Sequence, residues 1–153
     1  MSKIQSYILT VALAVAAFGF LPATDSFATD KGVRKVAIHV NDNDPKRMNL
    51  ALNNAANIYK YYKSKGQEIE VRVVAYGPGL HMLREDTSPV KARIAQMALA
   101  QDGLTFAACG NTHKKMTKKE GKKPPIISEA KMVPSGVVEL MELQTHGWTY
   151  IKP

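Results

Sequence analysis

The chain has 153 residues, of which 45% are hydrophobic and 22% charged, with a formal net charge of +8 and a single Cys. These proportions are typical of one folded domain and exclude a disordered chain. One Cys cannot form a disulfide within its own chain. Disulfide-stapled mini-proteins, zinc ribbons and iron–sulfur sites that need several thiolates are therefore excluded.

The amino terminus has the layout of a secretory signal peptide. A basic start precedes an apolar run over residues 7–21, and the small residues Ser26 and Ala28 occupy the −3 and −1 positions of a cleavage site. The apolar run is shorter than the ~20 residues that a membrane-spanning helix needs, which favours cleavage over an uncleaved anchor. We expect residues 1–28 to be a signal peptide. Residues 29–153 would then form a periplasmic or secreted domain, with no stable membrane insertion after cleavage.

Strands alternate with helices in the rest of the predicted structure. Short β-branched runs predict strands, and apolar residues at three- and four-residue steps predict helices. The predicted strands cover residues 35–40, 68–76, 104–108, part of 126–133, and 148–151, and the predicted helices begin at 44–45, 88–89 and 134–136. The lysine-rich stretch 114–123 is predicted to be a loop, because Gly121 and Pro124 weaken a helix there. This alternation favours a single α/β sandwich domain around a mostly parallel sheet.

The carboxyl edge of such a sheet is where ligands bind in open α/β folds. The predicted strands lead there into polar or glycine-containing turns, at residues 41–44, 77–79, 109–112 and 134–136. Backbone amides can approach a ligand closely at glycine. We therefore predict a binding crevice at this edge, shaped in part by Gly77, Gly79, Gly110 and Asn111.

Cys109, the only thiol, also lies at this edge. It could be a small buried apolar residue, which is the usual place of a free Cys. An unpaired thiol in an exported protein is nevertheless open to oxidation. If a helix begins at Gly110, its free N–H groups favour the thiolate, and Lys114, Lys115 and His113 would act in the same direction. We predict a reactive thiol.

The other histidines give weaker indications. His39 lies in a predicted strand and could be a satisfied core residue or a site residue. His81 follows the Gly77-Pro78-Gly79 turn and could face the crevice. His146, beside a helix-ending glycine, simply suits the helix dipole.

Two further sequence patterns suggest other kinds of binding site. Cys109, His113 and Met116 are soft ligands of the kind that bind copper, although such sites are typical of all-β proteins rather than of an α/β pattern. The six lysines between 114 and 123 could form a solvated surface or attract anions or anionic lipid. No nucleic-acid partner is expected, because the exported chain has no aromatic residues interleaved with these lysines.

Four stretches, residues 35–42, 74–80, 106–112 and 133–153, resemble the DsrE/DsrF-like sulfur-relay family. The resemblance implies a three-layer sandwich with a five-stranded sheet, and assembly as a homo-oligomer, a trimer or hexamer. In cytoplasmic members a Cys after the third strand carries sulfur as a persulfide between donor and acceptor proteins, and Cys109 matches that position. Those members follow the Cys with a different helix start, often with arginine, and an exported protein would not meet their cytosolic partners.

The leading hypothesis is an exported protein that binds or relays sulfane sulfur through a Cys109 persulfide. Sulfur donor and acceptor proteins would be its partners, and the crevice residues, with His39 and His81, would line its site. No cofactor and no metal are part of this hypothesis, and whether the protein acts as an enzyme is left open. The alternative is a non-enzymatic periplasmic binding or assembly module for a small anion or soft metal, in which the thiol is incidental.

Overall fold

The computed structural model describes residues 32–153, so the predicted signal peptide, residues 1–28, lies outside the described residues. The strands are β1 Arg34–Val40, β2 Ile69–Ala75, β3 Leu104–Cys109, β4 Ala130–Val133 and β5 Thr149–Ile151. The α-helices are α1 Pro45–Ser64, α2 Lys91–Ala100, α3 Gly110–Glu120 and α4 Gly136–Thr145, and a 3₁₀ helix covers Gly77–Leu83.

The five strands form one all-parallel sheet in the order β4-β3-β2-β1-β5. Their carboxyl ends are nearly level, since Val40 pairs with Ala75 and Ala75 pairs with Ala108. Cys109, one residue further along β3, pairs with Val133 at the end of β4. The predicted α/β fold with a parallel, five-stranded sheet is therefore confirmed, and its strand ends meet at one edge.

Helices cover both faces of the sheet, which gives three layers. Alternate residues of each strand point to opposite faces. Val71 and Val73 of β2 belong to the larger apolar cluster, with residues of α1, α2 and the 3₁₀ helix, whereas Val74 packs with Leu140 and Leu143 of α4. By the same alternation, Cys109 of β3 belongs to the face that α4 covers.

The predicted start of α1 is confirmed by its capping contact. Asp44 Oδ1 accepts a hydrogen bond from the Lys46 N–H at 2.9 Å, and Pro45 occupies the first helical position. A side-chain acceptor satisfies one of the free N–H groups there, and Pro has no N–H to leave unpaired. The second helix begins later than predicted, at Lys91, and the Ser88 hydroxyl oxygen instead accepts from the Val90 N–H at 3.3 Å.

The predicted loop over the lysine-rich stretch is wrong, because residues 110–120 form the α3 helix. Gly121, with φ +68°, ends the helix as a left-handed cap and does not disrupt it. Buried contacts on the inner side of α3 offset the lysine repulsion: His113 Nε2 lies 2.7 Å from the Pro124 carbonyl oxygen, and Met116 packs against the core.

Arg84, which is 4% exposed, fixes the far end of α3. Its guanidinium donates to Asp86 at 2.8 Å and to Glu120, the last residue of α3, at 2.6 Å. The hydrogen bond from Arg84 lowers the pKa of Asp86 to about 2. A charge-assisted, bidentate contact of this kind is stronger than an ordinary surface ion pair, so it anchors α3 against the 3₁₀ helix.

Over residues 32–153, none of the helices has the length and apolar character needed to cross a membrane.

Gly79 and Gly66 offer a matched test of how closely the 3₁₀ helix packs on β1. A Cβ at Gly79 would lie 2.4 Å from the Val40 carbonyl oxygen, whereas a Cβ at Gly66 would meet nothing within 4 Å. We expect Gly79→Ala to lower the free energy of unfolding by about 3 kcal/mol, because backbone must move. Gly66→Ala should lower it by only about 1 kcal/mol, the conformational penalty of its positive φ.

Urea unfolding monitored by circular dichroism measures both variants. Equal losses in the two variants would contradict the close packing of the 3₁₀ helix on β1.

Candidate functional site

Cys109 joins β3 to α3 at the carboxyl edge of the sheet. It is the last residue of β3 and the N-cap of α3, and its Sγ accepts from the Thr112 N–H at 3.5 Å. The residue is only 4% exposed. The free N–H groups of the first helical turn carry partial positive charge, so a thiolate is stabilised at this position.

The pKa of the Cys109 thiol lies below its usual value. Burial is the largest single influence and raises the pKa, but hydrogen bonds to the sulfur outweigh it. These bonds come mainly from the Thr112 hydroxyl and from the N–H groups of Gly136 and Thr112, while the Asn111 N–H, which donates to the Pro134 carbonyl at 3.2 Å, has a smaller effect. Hydrogen bonds to the charged form favour that form, so the thiolate is held by neutral donors on two segments, the start of α3 and the start of α4.

The predicted contribution of Lys114, Lys115 and His113 to thiolate stabilisation needs correction. None of the leading influences on the Cys109 pKa is a lysine or a histidine. Lys114 and Lys115 are exposed to solvent, where their charges are screened. The buried His113 ring hydrogen-bonds the Pro124 carbonyl.

Thr112 links the sulfur to the 3₁₀ helix. Its hydroxyl oxygen accepts from the Gly77 N–H at 2.9 Å, which leaves the hydroxyl proton to donate to Cys109. Successive hydrogen bonds polarise one another, so the Gly77 donor strengthens the bond to sulfur. Gly77 has φ +53°, a conformation that L side chains rarely adopt and that glycine adopts freely.

Gly136 allows α4 to approach the thiol. A Cβ at this position would lie 2.9 Å from Tyr76 Cβ and 3.2 Å from Cys109 Cβ. Any larger residue would push the helix start, with its N–H donor, away from the sulfur. Because Gly136 has no side chain, α4 begins close enough to Cys109 for the Gly136 N–H to donate to the sulfur.

Tyr76 lies between Cys109 and a buried histidine. The His39 and Tyr76 rings stack with centroids 4.6 Å apart, and His39 Nδ1 lies 2.7 Å from the Tyr150 hydroxyl. Burial, helped by the charge of Lys152, lowers the pKa of His39, so its imidazole is neutral near pH 7. Sequence reasoning found His39 but not Tyr76 or Tyr150, whose positions depend on how β1, β2 and β5 are aligned.

Two buried polar atoms near His39 have no hydrogen-bond partner among the described residues, His39 Nε2 and Asn41 Oδ1. Both residues, with Arg47, line a cavity of about 10 Å³. That volume is about what one water molecule needs, and a water could donate to one atom and accept from the other.

The other predicted site residues have different surroundings. Gly110 begins α3, and Asn111, which is exposed, donates its N–H to the Pro134 carbonyl at 3.2 Å. Gly79 is buried against β1 and serves packing. His81 is not brought to the thiol: Nδ1 lies 3.3 Å from Thr87 Oγ1, and the residue lies near Glu120, ~16 Å along α3 from Cys109.

The sequence indicates the turns that contain Thr112 and Gly136 but not that both residues contact Cys109. Both lie in the predicted carboxyl-edge turns, 109–112 and 134–136. Their hydrogen bonds to one sulfur follow only from the strand order, which places β3 between β2 and β4.

Within residues 32–153, no three or more His, Cys, Asp or Glu side chains are grouped to hold a metal ion.

A larger cavity, of about 520 Å³, lies at the opposite, amino-terminal edge of the sheet. Its lining includes Tyr59, Lys63, Glu70 and Asp102. Burial raises the pKa of Tyr59 to about 12. This cavity is separated from Cys109 by the length of the strands, so it is not part of the thiol site.

The fold and the strand-end thiol define an α/β protein with a capped cysteine at the carboxyl edge of a parallel sheet. The model of the DsrE/DsrF-like family matches residues 34–153, and the chain belongs to that family. A solved protein of unknown function from Methanobacterium thermoautotrophicum is similar, with 28% identity and a TM-score of 0.66 over 78% of this chain and 99% of that one. No curated protein matches.

The effect of the Thr112 hydroxyl on the Cys109 thiolate can be tested separately from that of the N–H donors. We expect Thr112→Val to raise the pKa of Cys109, because the sulfur loses a hydroxyl donor. Alkylation by iodoacetamide at neutral pH should then slow about threefold, since less thiolate is present.

Thr112→Ser, which keeps the hydroxyl, is the matched control and should retain the wild-type pH profile. Identical profiles for Thr112→Val and wild type would show that the hydroxyl does not stabilise the thiolate.

Proposed function

We propose that this protein is an exported sulfur carrier that holds sulfane sulfur as a persulfide on Cys109. The observation that carries the proposal is the place of the only thiol of the chain: Cys109 caps α3, its Sγ accepts from the Thr112 N–H at 3.5 Å, and Gly136 at the start of α4 packs against it. The lowered pKa of the thiol supports this. Membership of a sulfur-relay-type family supports it. A thiol that served packing alone would not require polar donors from two segments.

Loading the carrier requires a nucleophilic thiolate. The Cys109 thiolate attacks the outer sulfur of a donor persulfide, forms a new S–S bond, and breaks the S–S bond within the donor. The donor leaves as a thiolate. One sulfur atom changes carrier with no net oxidation or reduction, so no other co-reactant is needed.

Delivery of the sulfur reverses the loading step and depends on the same hydrogen bonds to Cys109. An acceptor thiolate attacks the outer sulfur of the Cys109 persulfide, and Cys109 leaves as a thiolate. A thiol of lower pKa leaves faster. The donors on Thr112 and Gly136 therefore assist both steps, first by maintaining the nucleophile and then by stabilising the leaving group.

The burial of Cys109 has a direct consequence for this chemistry. At 4% exposure, the sulfur is reached only by a small donor or after its neighbours shift. A site that excludes water also protects a reactive intermediate from side reactions. A persulfide on Cys109 would thus be shielded from oxidants between loading and delivery.

Export is the other part of the proposal and rests on the apolar run 7–21 and the small residues Ser26 and Ala28. We expect the mature protein to begin at Thr29. Amino-terminal sequencing of the protein from the periplasm or culture medium checks this. Recovery of the intact chain only from the cytosol would contradict export.

Incubation with a persulfide donor, followed by intact mass spectrometry, tests the carrier function. Since Cys109 is the only Cys, one added sulfur, about 32 Da, reports on that residue alone. We expect the adduct to form and to disappear when an acceptor thiol is added. Cys109→Ser is the control and should gain no mass.

Wild-type protein that reacts with iodoacetamide but gains no sulfur from the donor would refute the carrier function while leaving thiol reactivity intact.

A further inference from the structure

The outer side of α3 carries most of the excess positive charge of the chain. The lysine face consists of Lys114, Lys115, Lys118, Lys119, Lys122 and Lys123. At 100° per residue, the four lysines within the helix span about 140° of its circumference. His113 and Met116 lie on the opposite, inward side, consistent with their burial and core packing.

The lysine face has little internal counter-charge: the charge of Lys122 acts on Asp86, which Arg84 already holds. Among the described residues, none of these six lysines forms an ion pair within 4 Å. Glu120, the only acidic residue in the stretch, is held by Arg84 at 2.6 Å. Like charges four residues apart, such as Lys114 and Lys118, repel one another and destabilise a helix. Carboxylates from outside the chain would relieve that repulsion.

The lysine face begins beside the thiol. Cys109 caps α3, Lys114 lies ~8 Å further along the helix axis, and Lys118 lies ~14 Å along it. A protein segment bound along α3 would therefore bring a residue at its end to the carboxyl edge of the sheet. The charges are close enough to orient a partner, yet they are not among the leading influences on the thiol pKa.

Exposed apolar side chains lie on the other side of the thiol. Met132 is 47% exposed and Val137 is 51% exposed. Met132 Cγ lies 3.8 Å from the position of a Cβ on Gly110, and Val137 follows Gly136, whose N–H reaches the sulfur. An apolar centre with a charged margin is typical of protein–protein interfaces.

We propose that the lysine face is the docking surface for an acidic segment of the protein that exchanges sulfur with Cys109. This inference rests on the proposed function, since the partner must present a thiol or persulfide to the sulfur. A second copy of the chain is disfavoured, because its own lysine face would be repelled. A membrane surface is disfavoured, because a bilayer offers no thiol and the exposed large apolar residues of 32–153 do not include any on α3.

Two synthetic peptides test the charge preference. One contains Glu and Gly with a single Cys, and the other has Gln in place of each Glu. With persulfide-loaded protein, we expect the acidic peptide to accept sulfur about tenfold faster at low salt, because opposite charge steers association. The difference should shrink to about twofold at 0.5 M salt, where the Debye length is a few ångströms.

Charge reversals at two pairs of lysines show which surface is responsible for the preference for the acidic peptide. Lys118→Glu with Lys119→Glu should abolish the preference for the acidic peptide while leaving the iodoacetamide rate of Cys109 unchanged. Lys60→Glu with Lys63→Glu, at exposed positions near the end of α1, changes the net charge equally and should retain the preference. Equal transfer to both peptides, or a preference that survives the α3 reversal, would overturn the docking surface.

Direct binding separates this inference from sulfur transfer itself. Fluorescence anisotropy with the acidic peptide carrying Ser in place of Cys should show binding that the α3 reversal abolishes, even if Cys109 accepts no sulfur. Sedimentation with vesicles containing phosphatidylglycerol tests the membrane alternative. Vesicle binding that depends on Lys118 and Lys119, without peptide binding, would assign the surface to anionic lipid and overturn the proposal.

Discussion

The convergence of hydrogen-bond donors on the Cys109 sulfur is the interaction on which the candidate site depends. Burial alone would raise the pKa of the thiol, and only the donors reverse that effect. The Thr112 hydroxyl and the N–H groups of Thr112 and Gly136 come from two helices that begin at neighbouring strand ends. A parallel sheet with level carboxyl ends places helix starts side by side, so the fold itself assembles the donors.

Small residues make that assembly possible. Gly136 lets α4 start in contact with Cys109 and Tyr76, and Gly79 lets the 3₁₀ helix lie against β1. Gly77 places its N–H on Thr112 through a backbone conformation that other residues rarely adopt. The site is thus built mainly from backbone groups, and the lysines of α3 lie at exposed positions of that helix.

Much of the fold was predictable because strand and helix patterns are local. The β-branched run of β1, the Asp44-Pro45 start of α1 and the position of Cys109 after β3 all depend on neighbours in sequence. The continuation of α3 through its lysines was not predicted, because the lysines and Gly121 argue against a helix, whereas distant contacts of His113 and Glu120 stabilise it. The positions of Tyr150 and Tyr76 beside His39 likewise depend on the strand order, which local sequence patterns do not specify.

Titration of Cys109 by ¹³C NMR, with the label on its Cβ, tests the stabilised thiolate most directly. The chain has a single Cys, so one resonance reports the midpoint without assignment. The hydrogen-bonded cap predicts a lower midpoint in the folded protein than in the same chain unfolded in urea. An equal or higher midpoint in the folded protein would show that burial outweighs the donors, and would contradict a thiolate prepared for sulfur exchange.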